Sequence, residues 1–253
     1  MNIFPDPMKR MQLKWLPLFL LTGLLFLFST GCEEEEVTVT PLEKGTMMDR
    51  EGNVYATVKI GDQWWMSENL HVKSYRNGDP VFHGEASSDW AQADSTGAYC
   101  QFYDDTAAPG LLYNGSAVAD ARNLAPEGWH IPSDAEWKQL EIALGMSTAD
   151  AGKTSWRGAH VGEKLRVASP QGWTRYGDVW STNESGFTAL AGGCRLVDGT
   201  WGNPGLFATG FWWTSTVRNG TEAWYRYLDY KNSAVFRSHV SKQYGFSVRC
   251  VKD

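Results

Sequence analysis

Gly128-Trp129-His130-Ile131-Pro132-Ser133-Asp134-Ala135-Glu136-Trp137 carries the strongest helix start in the chain. Pro132 precedes Ser133, and Glu136 follows three positions later, which is the pattern of a capping box. The serine hydroxyl takes the Glu136 amide while the Glu136 carboxylate reaches back to the Ser133 amide. Downstream, Trp137, Leu140, Glu141 and Leu144 fall on one helical face, an apolar stripe with a single polar break. Gly145 supplies a left-handed stop. A second short helix is expected over Gly162–Ala168. The rest reads as short strands separated by Gly, Asn, Asp and Ser, so the expected class is α+β, loop-rich, with short antiparallel strands and one or two helices.

Working outward, Val54–Ile60 alternates as a strand, Gly61-Asp62 turns the chain, and Gln63–Met66 returns, with Trp64 and Trp65 on opposite faces. Residues 71–98 are polar and irregular. Strand-like pieces follow at Tyr99–Tyr103, Cys194–Val197, Phe211–Ser215, Ala223–Tyr230, Ala234–Arg237 and Phe246–Val251. No repeat period and no internal linker interrupts them, so a single domain is expected over 48–253. The chain holds 13 Trp and 26 Gly among 253 residues, a composition suited to a loop-rich body pinned by aromatic side chains. A formal net charge of −6 argues against a nucleic-acid partner.

The front of the chain has a different character. Lys9, Arg10 and Lys14 precede an apolar run from Trp15 to Phe28, and Ser29-Thr30-Gly31 lead to Cys32. The run is short for a membrane span and has the flanks of a secretory signal. It resembles a bacterial lipoprotein signal, with Ser29 where Leu is commoner, which implies a signal peptide over 1–31 and lipidation of Cys32. Glu33–Glu36 cannot pack and open an acidic tether over 32–47. This acidic run is similar to the tract that sends Bacteroidota lipoproteins to the outer face of the outer membrane. Cys100, Cys194 and Cys250 then remain, enough for one bridge and one leftover thiol beyond the inner membrane. No CxxC or Cys/His spacing suggests zinc.

Several pieces together resemble the Fibrobacter succinogenes major paralogous domain family. They are Asp49–Tyr55, Val58–Met66, Glu68-Asn69-Leu70, Gly128–Trp137, Asn183–Phe187, Trp212–Thr216, Ala223–Arg226 and Gly245–Cys250. The resemblance implies a secreted or lipid-anchored protein and, from the usual cysteine positions of that family, a Cys100–Cys250 disulfide. Ile131–Trp137 is also similar to a segment of formylglycine-generating enzymes, and Gly245–Arg249 to their closing strand. That second resemblance implies a C-type-lectin-like fold.

No catalytic constellation stands out, and no enzyme activity, cofactor or metal is expected. The paired late cysteines of formylglycine-generating enzymes have no counterpart here. His71, His83, His130, His160 and His239 form no HxH or HExxH pair, and His130 reads as a hydrogen-bonded structural histidine. No GxSxG elbow occurs. Trp201-Gly202-Asn203-Pro204 is not the calcium-lectin tripeptide pattern, although loop oxygens for a structural calcium stay open. Alternation in Ala223–Tyr230 puts Trp224, Arg226, Leu228 and Tyr230 on one face and Tyr225, Tyr227 and Asp229 on the other. One face is expected in the core, and Trp213, Tyr225 and Tyr227 are the candidate ligand-binding residues. The expected protein is a surface-exposed outer-membrane lipoprotein, held to the membrane by its N-terminal lipid, with a domain that binds a glycan or a surface protein. The alternative is an accessory subunit of a surface complex; an enzyme related to formylglycine-generating enzymes ranks behind both.

Overall fold

The computed structural model describes residues 41–102, 110–169, 172–202 and 208–253. Cys32, the signal segment and residues 32–40 of the acidic tether lie outside the described residues. Order begins earlier than expected. Lys44–Met48 (β1) pairs with Val54–Ile60 (β2), Met48 opposite Val54, so the last residues assigned to the tether are strand. Asp49 closes this turn: its carboxylate accepts from the amides of Glu51 and Asn53 and from the Tyr55 hydroxyl. Gln63–Met66 (β3) completes the expected hairpin, with Trp65 fully buried and Trp64 half-buried.

The chain then runs through Phe82–His83 (β4), Ser87–Gln92 (α1), Ala98–Gln101 (β5), Leu111–Asn114 (β6), Gly115–Val118 (α2) and Trp129–His130 (β7). Asp134–Ala143 (α3) starts at the capping box, both halves of which are present. Thr148–Ala151 (α4), Ser155–Arg157 (β8) and Val161–Leu165 (α5) follow, the last being the expected second helix. The remaining elements are Cys194–Arg195 (β9), Trp201–Gly202 (β10), Thr209–Val217 (β11), Glu222–Asp229 (β12), Val235–Ser241 (β13), Gly245–Phe246 (β14) and Val251–Lys252 (β15). The class is α+β, with short helices among three sheets. Their strand orders are β1-β2-β3-β15-β7, β10-β9-β14-β6-β5-β4 and β11-β12-β13-β8.

The C-terminal segment read from sequence as one strand is two. β14 lies in the second sheet and β15 in the first, and the residues between them cross from one to the other. On the way the Ser247 amide donates to the Phe211 carbonyl and the Ser247 carbonyl accepts from the Trp213 amide, which ties in the third sheet. A segment threading three sheets has no solvent side, and Ser247, Val248, Arg249 and Cys250 are all buried. Two large apolar clusters flank it. One gathers Tyr55, Met66, Tyr113, Trp213, Phe246 and Val248; the other gathers Trp65, Trp137, Leu140, Phe187, Trp212 and Val251. Adjacent residues feed different clusters, Trp65 against Met66 and Trp212 against Trp213, because strand side chains alternate across the sheet.

Candidate functional site

Most signature residues turn out to be structural. Arg249 is fully buried without a carboxylate partner. Its Nε donates to Asn69 Oδ1 at 2.7 Å, and its Nη atoms donate to the carbonyls of Met66, Phe187 and Thr188. Burial lowers its pKa to about 9. Asn69 also accepts from Trp212 Nε1 at 2.9 Å and donates to Ser247 Oγ at 3.2 Å. Gly245 is required by packing: a Cβ there would lie 2.6 Å from the Trp90 ring and 2.8 Å from Arg195 Cβ. The Gly-Phe-Ser-Val-Arg and Glu-Asn-Leu motifs therefore meet in one hydrogen-bonded knot inside the fold.

A second buried network binds α3 to the third sheet. Glu141 accepts from Arg226 Nε and Arg157 Nη2, each at 2.6 Å. Asp134 accepts from Arg226 at 2.8 Å and twice from Arg237 at 2.7 Å. Burial alone would raise the Asp134 pKa; Arg237, Arg226 and Lys138 overcome it and hold the carboxyl below its ordinary range. At the same helix, His130 has Nε2 2.6 Å from Glu136 and Nδ1 2.7 Å from Asp253. A neutral imidazole donates through one nitrogen, so two carboxylates on two nitrogens select the imidazolium. Burial opposes that charge, but the two carboxylate hydrogen bonds raise the pKa of His130. These acids and this histidine are the best-placed titratable groups in the chain, and all are engaged in holding elements together.

The open face of the third sheet is different. Register places Phe211, Tyr227, Phe236 and Trp156 directly opposite one another across β11, β12, β13 and β8. Ring centroids step 4.5 Å from Phe211 to Tyr227, 5.8 Å to Phe236 and 5.2 Å to Trp156. All four residues are partly buried: Phe211 stacks 5.1 Å from the buried Phe246 and joins the core cluster, and from that end the row runs across the sheet through Tyr227 and Phe236 to Trp156. Tyr225 lies one row over, opposite Ser238, and is also half-buried. The Tyr227 hydroxyl donates to Asp229 Oδ2. Burial first, then that carboxylate, raises the pKa of Tyr227; burial pushes Tyr225 up to about 12, so both phenols stay neutral, Tyr227 with its proton engaged by Asp229.

The candidate residues separate on this face. Tyr225 and Tyr227 lie on it. Trp213 does not present a ring to solvent and is corrected to a packing residue. Its indole is fully buried, 4.4 Å from Phe246, with Nε1 donating to the Tyr113 carbonyl at 2.8 Å. β14 covers that end of the sheet, a long-range contact that strand alternation does not reveal. Trp156 and Phe236 were not singled out from sequence; their strands are separated by a long intervening stretch, and only the β13–β8 register puts them in the row.

The expected Cys100–Cys250 disulfide is also corrected. Cys100, Cys194 and Cys250 are all free thiols and buried. Cys100 packs with Trp90, Ala98 and Leu112, while Cys250 packs in the cluster of Tyr55 and Met66. Burial pushes the Cys100 and Cys194 thiols up to about 12 and raises Cys250 as well. Among the described residues no group of three His, Cys, Asp or Glu side chains could hold a metal ion, and no helix is long and apolar enough to cross a membrane.

A family model described as Fibrobacter succinogenes major domain matches residues 58–252, from within β2 to the last residue of β15. Neither the curated proteins nor the solved structures yield a match.

Proposed function

We propose that this chain, which belongs to the Fibrobacter succinogenes major domain family, is a non-catalytic binding or adhesion protein displayed on the outer surface of the cell by a lipid on Cys32. The observation that carries the reading is the in-register aromatic row Phe211-Tyr227-Phe236-Trp156 with Tyr225 beside it. The exposed parts of these partly buried rings offer apolar surface to sugar C–H groups or to a protein, and the tyrosine oxygens add hydrogen bonds. The buried acids favour binding over catalysis: Asp134 and Glu141 are held by three guanidinium groups, and both nitrogens of His130 are occupied. The first and last strands of the body sit in one sheet among long loops, which supports a C-type-lectin-like reading of the fold.

The test is a glycan array probed with the full-length protein in detergent, alongside Tyr227→Ala and Trp156→Ala. Binding that both variants weaken is the expected result. No glycan bound, with adhesion of the deletion strain unchanged, overturns this reading. The same row also supports an accessory role in a surface complex, because Phe211, Phe236 and most of the Trp156 ring carry no polar tip. In that case crosslinking on cells recovers a partner protein in wild type and loses it in Trp156→Ala.

A further inference from the structure

Trp180 combines a rigid backbone with a solvent-facing ring. Its amide donates to Glu163 Oε1 at 3.2 Å and its carbonyl accepts from Arg166 Nη2 at 3.1 Å. Both anchors are buried, Glu163 at 8% and Arg166 at 1% exposure, and Arg166 also holds the carbonyls of Asp229 and Asn232. Yet the residue whose backbone they hold is 52% exposed. Leaving this large apolar ring in water forgoes the stabilisation its burial would give, so its exposure on an anchored backbone contributes nothing to folding.

The residues around it share one chemistry. Tyr176 and Val179 bridge a tight turn in which Gly177 takes φ +52° and the Val179 amide donates to the Tyr176 carbonyl at 3.0 Å. Arg175 stacks over the Trp180 ring, its guanidinium carbon 3.9 Å from the centroid. Tyr176, 51% exposed, meets Tyr230 edge-on at 5.8 Å, and Lys231 Nζ stands 5.6 Å and 5.2 Å from those two rings. Neither Arg175 nor Lys231 has a carboxylate within salt-bridge distance among the described residues. Asp229, the acid beside Lys231, is taken by the Tyr227 hydroxyl and the Lys231 amide.

We infer that this turn is a second binding site, distinct from the aromatic row, and that it takes an acidic glycan, a sugar chain bearing carboxylates. The indole face offers a platform for a sugar ring, and Arg175 and Lys231 supply two cations for its acid groups. A neutral sugar would leave both cations without a counter-charge. An acidic peptide without proline or aromatic residues, such as poly-glutamate, would lack a ring face for the indole.

The probe is an oligomer of galacturonic acid, compared with the same oligomer methyl-esterified and with poly-glutamate, titrated into the full-length protein in detergent at low salt. The acid oligomer binds, the ester and the polypeptide do not, and added salt weakens the complex. Trp180→Ala and Arg175→Gln each lose about tenfold or more in affinity, as removal of a stacking partner or of a charge-assisted contact does. Asp178→Asn, which removes the acid at the turn tip, tightens binding. Trp156→Ala leaves it unchanged, so this site and the aromatic row fail separately. Absence of binding at low salt, equal binding of poly-glutamate, or wild-type affinity in Trp180→Ala with an unchanged melting curve overturns the inference.

Discussion

Replacing Glu141 by Gln tests how the third sheet is fastened to α3. The change is nearly isosteric, so packing is preserved and only charge and donor pattern alter. Glu141 is fully buried and receives two short charge-assisted hydrogen bonds, from Arg226 Nε and Arg157 Nη2. The two guanidinium groups fare differently without it. Arg226 keeps Asp134 at 2.8 Å. Arg157 keeps only the Val235 carbonyl, and its Nε already lacks a partner. Burial lowers the Arg157 pKa to about 10 even with Glu141 beside it. Gln can accept through one oxygen, and its NH₂ then faces a donor. The expected loss is that of a broken buried pair, about 3–5 kcal/mol, which lowers the urea midpoint by about 1–2 M with m unchanged. Lys138→Ala, which removes a half-exposed contact to Asp134, costs under about 1 kcal/mol. Adding Arg157→Met to Glu141→Gln recovers part of the loss, because it removes the orphaned charge. Equilibrium urea unfolding followed by tryptophan fluorescence measures all of these. A Glu141→Gln loss below about 1 kcal/mol, no larger than that of an ordinary surface change, would refute the network as a fastening.

Further outcomes follow from the same geometry. Native protein resists a thiol reagent, because Cys100, Cys194 and Cys250 are buried with raised pKa values; unfolding in denaturant releases three thiols, or four if Cys32 is unmodified, whereas a count reduced by two would reveal a disulfide. The raised pKa of His130 means that its contribution is fully present below the unfolded value near 6.5 and fades as pH climbs through the folded one, so the melting temperature of wild type falls relative to His130→Gln between about pH 6 and 9. A parallel pair of curves would show that the two carboxylates do not hold the imidazolium. Gly245→Ala forces a methyl against Trp90 and Arg195 and destabilises by about 1–3 kcal/mol, read as a lowered denaturation midpoint.

What the sequence disclosed was local. Ser133 and Glu136 lie three residues apart, and their capping box depends on nothing outside that turn, so it is present as read. The hairpin of Val54–Met66 is likewise fixed by its own alternation and by Gly61-Asp62. Alternation in β12 also separated Tyr225 and Tyr227 from Arg226 correctly. Trp213, singled out from the aromatic run Phe211–Trp213, is buried because Phe246 arrives from β14. Alternation was silent on Trp156 and Phe236, which become neighbours only through the β13–β8 register. The C-terminal run reads as one strand because Phe246, Val248 and Cys250 alternate with Ser247 and Arg249; the break at Ser247 comes from the geometry of three sheets meeting. The single-strand reading treated a long-range arrangement as if it were local, whereas the disulfide came from the resemblance alone.

The division between motif and site has a physical cause. Asn69, Trp212, Ser247 and Arg249 satisfy one another inside the fold, where a lost partner leaves a buried polar group unpaired. Such positions tolerate little change in any chain that adopts this frame, whatever it binds. The rings of Trp156, Phe211, Tyr227 and Phe236, and the Arg175–Trp180 pair, lie outside the motif stretches that carry the resemblance, on surfaces where a substitution leaves no buried donor behind. Membership in the family therefore reports the frame and leaves the ligand to these faces. The two kinds of position should separate in one experiment: Arg249→Lys, which cannot reach three carbonyls and Asn69 together, abolishes folding and the proposed binding in step, while Phe236→Ser gives up partly buried ring contacts, lowers the melting transition modestly, keeps it cooperative and changes the proposed binding at the sheet face.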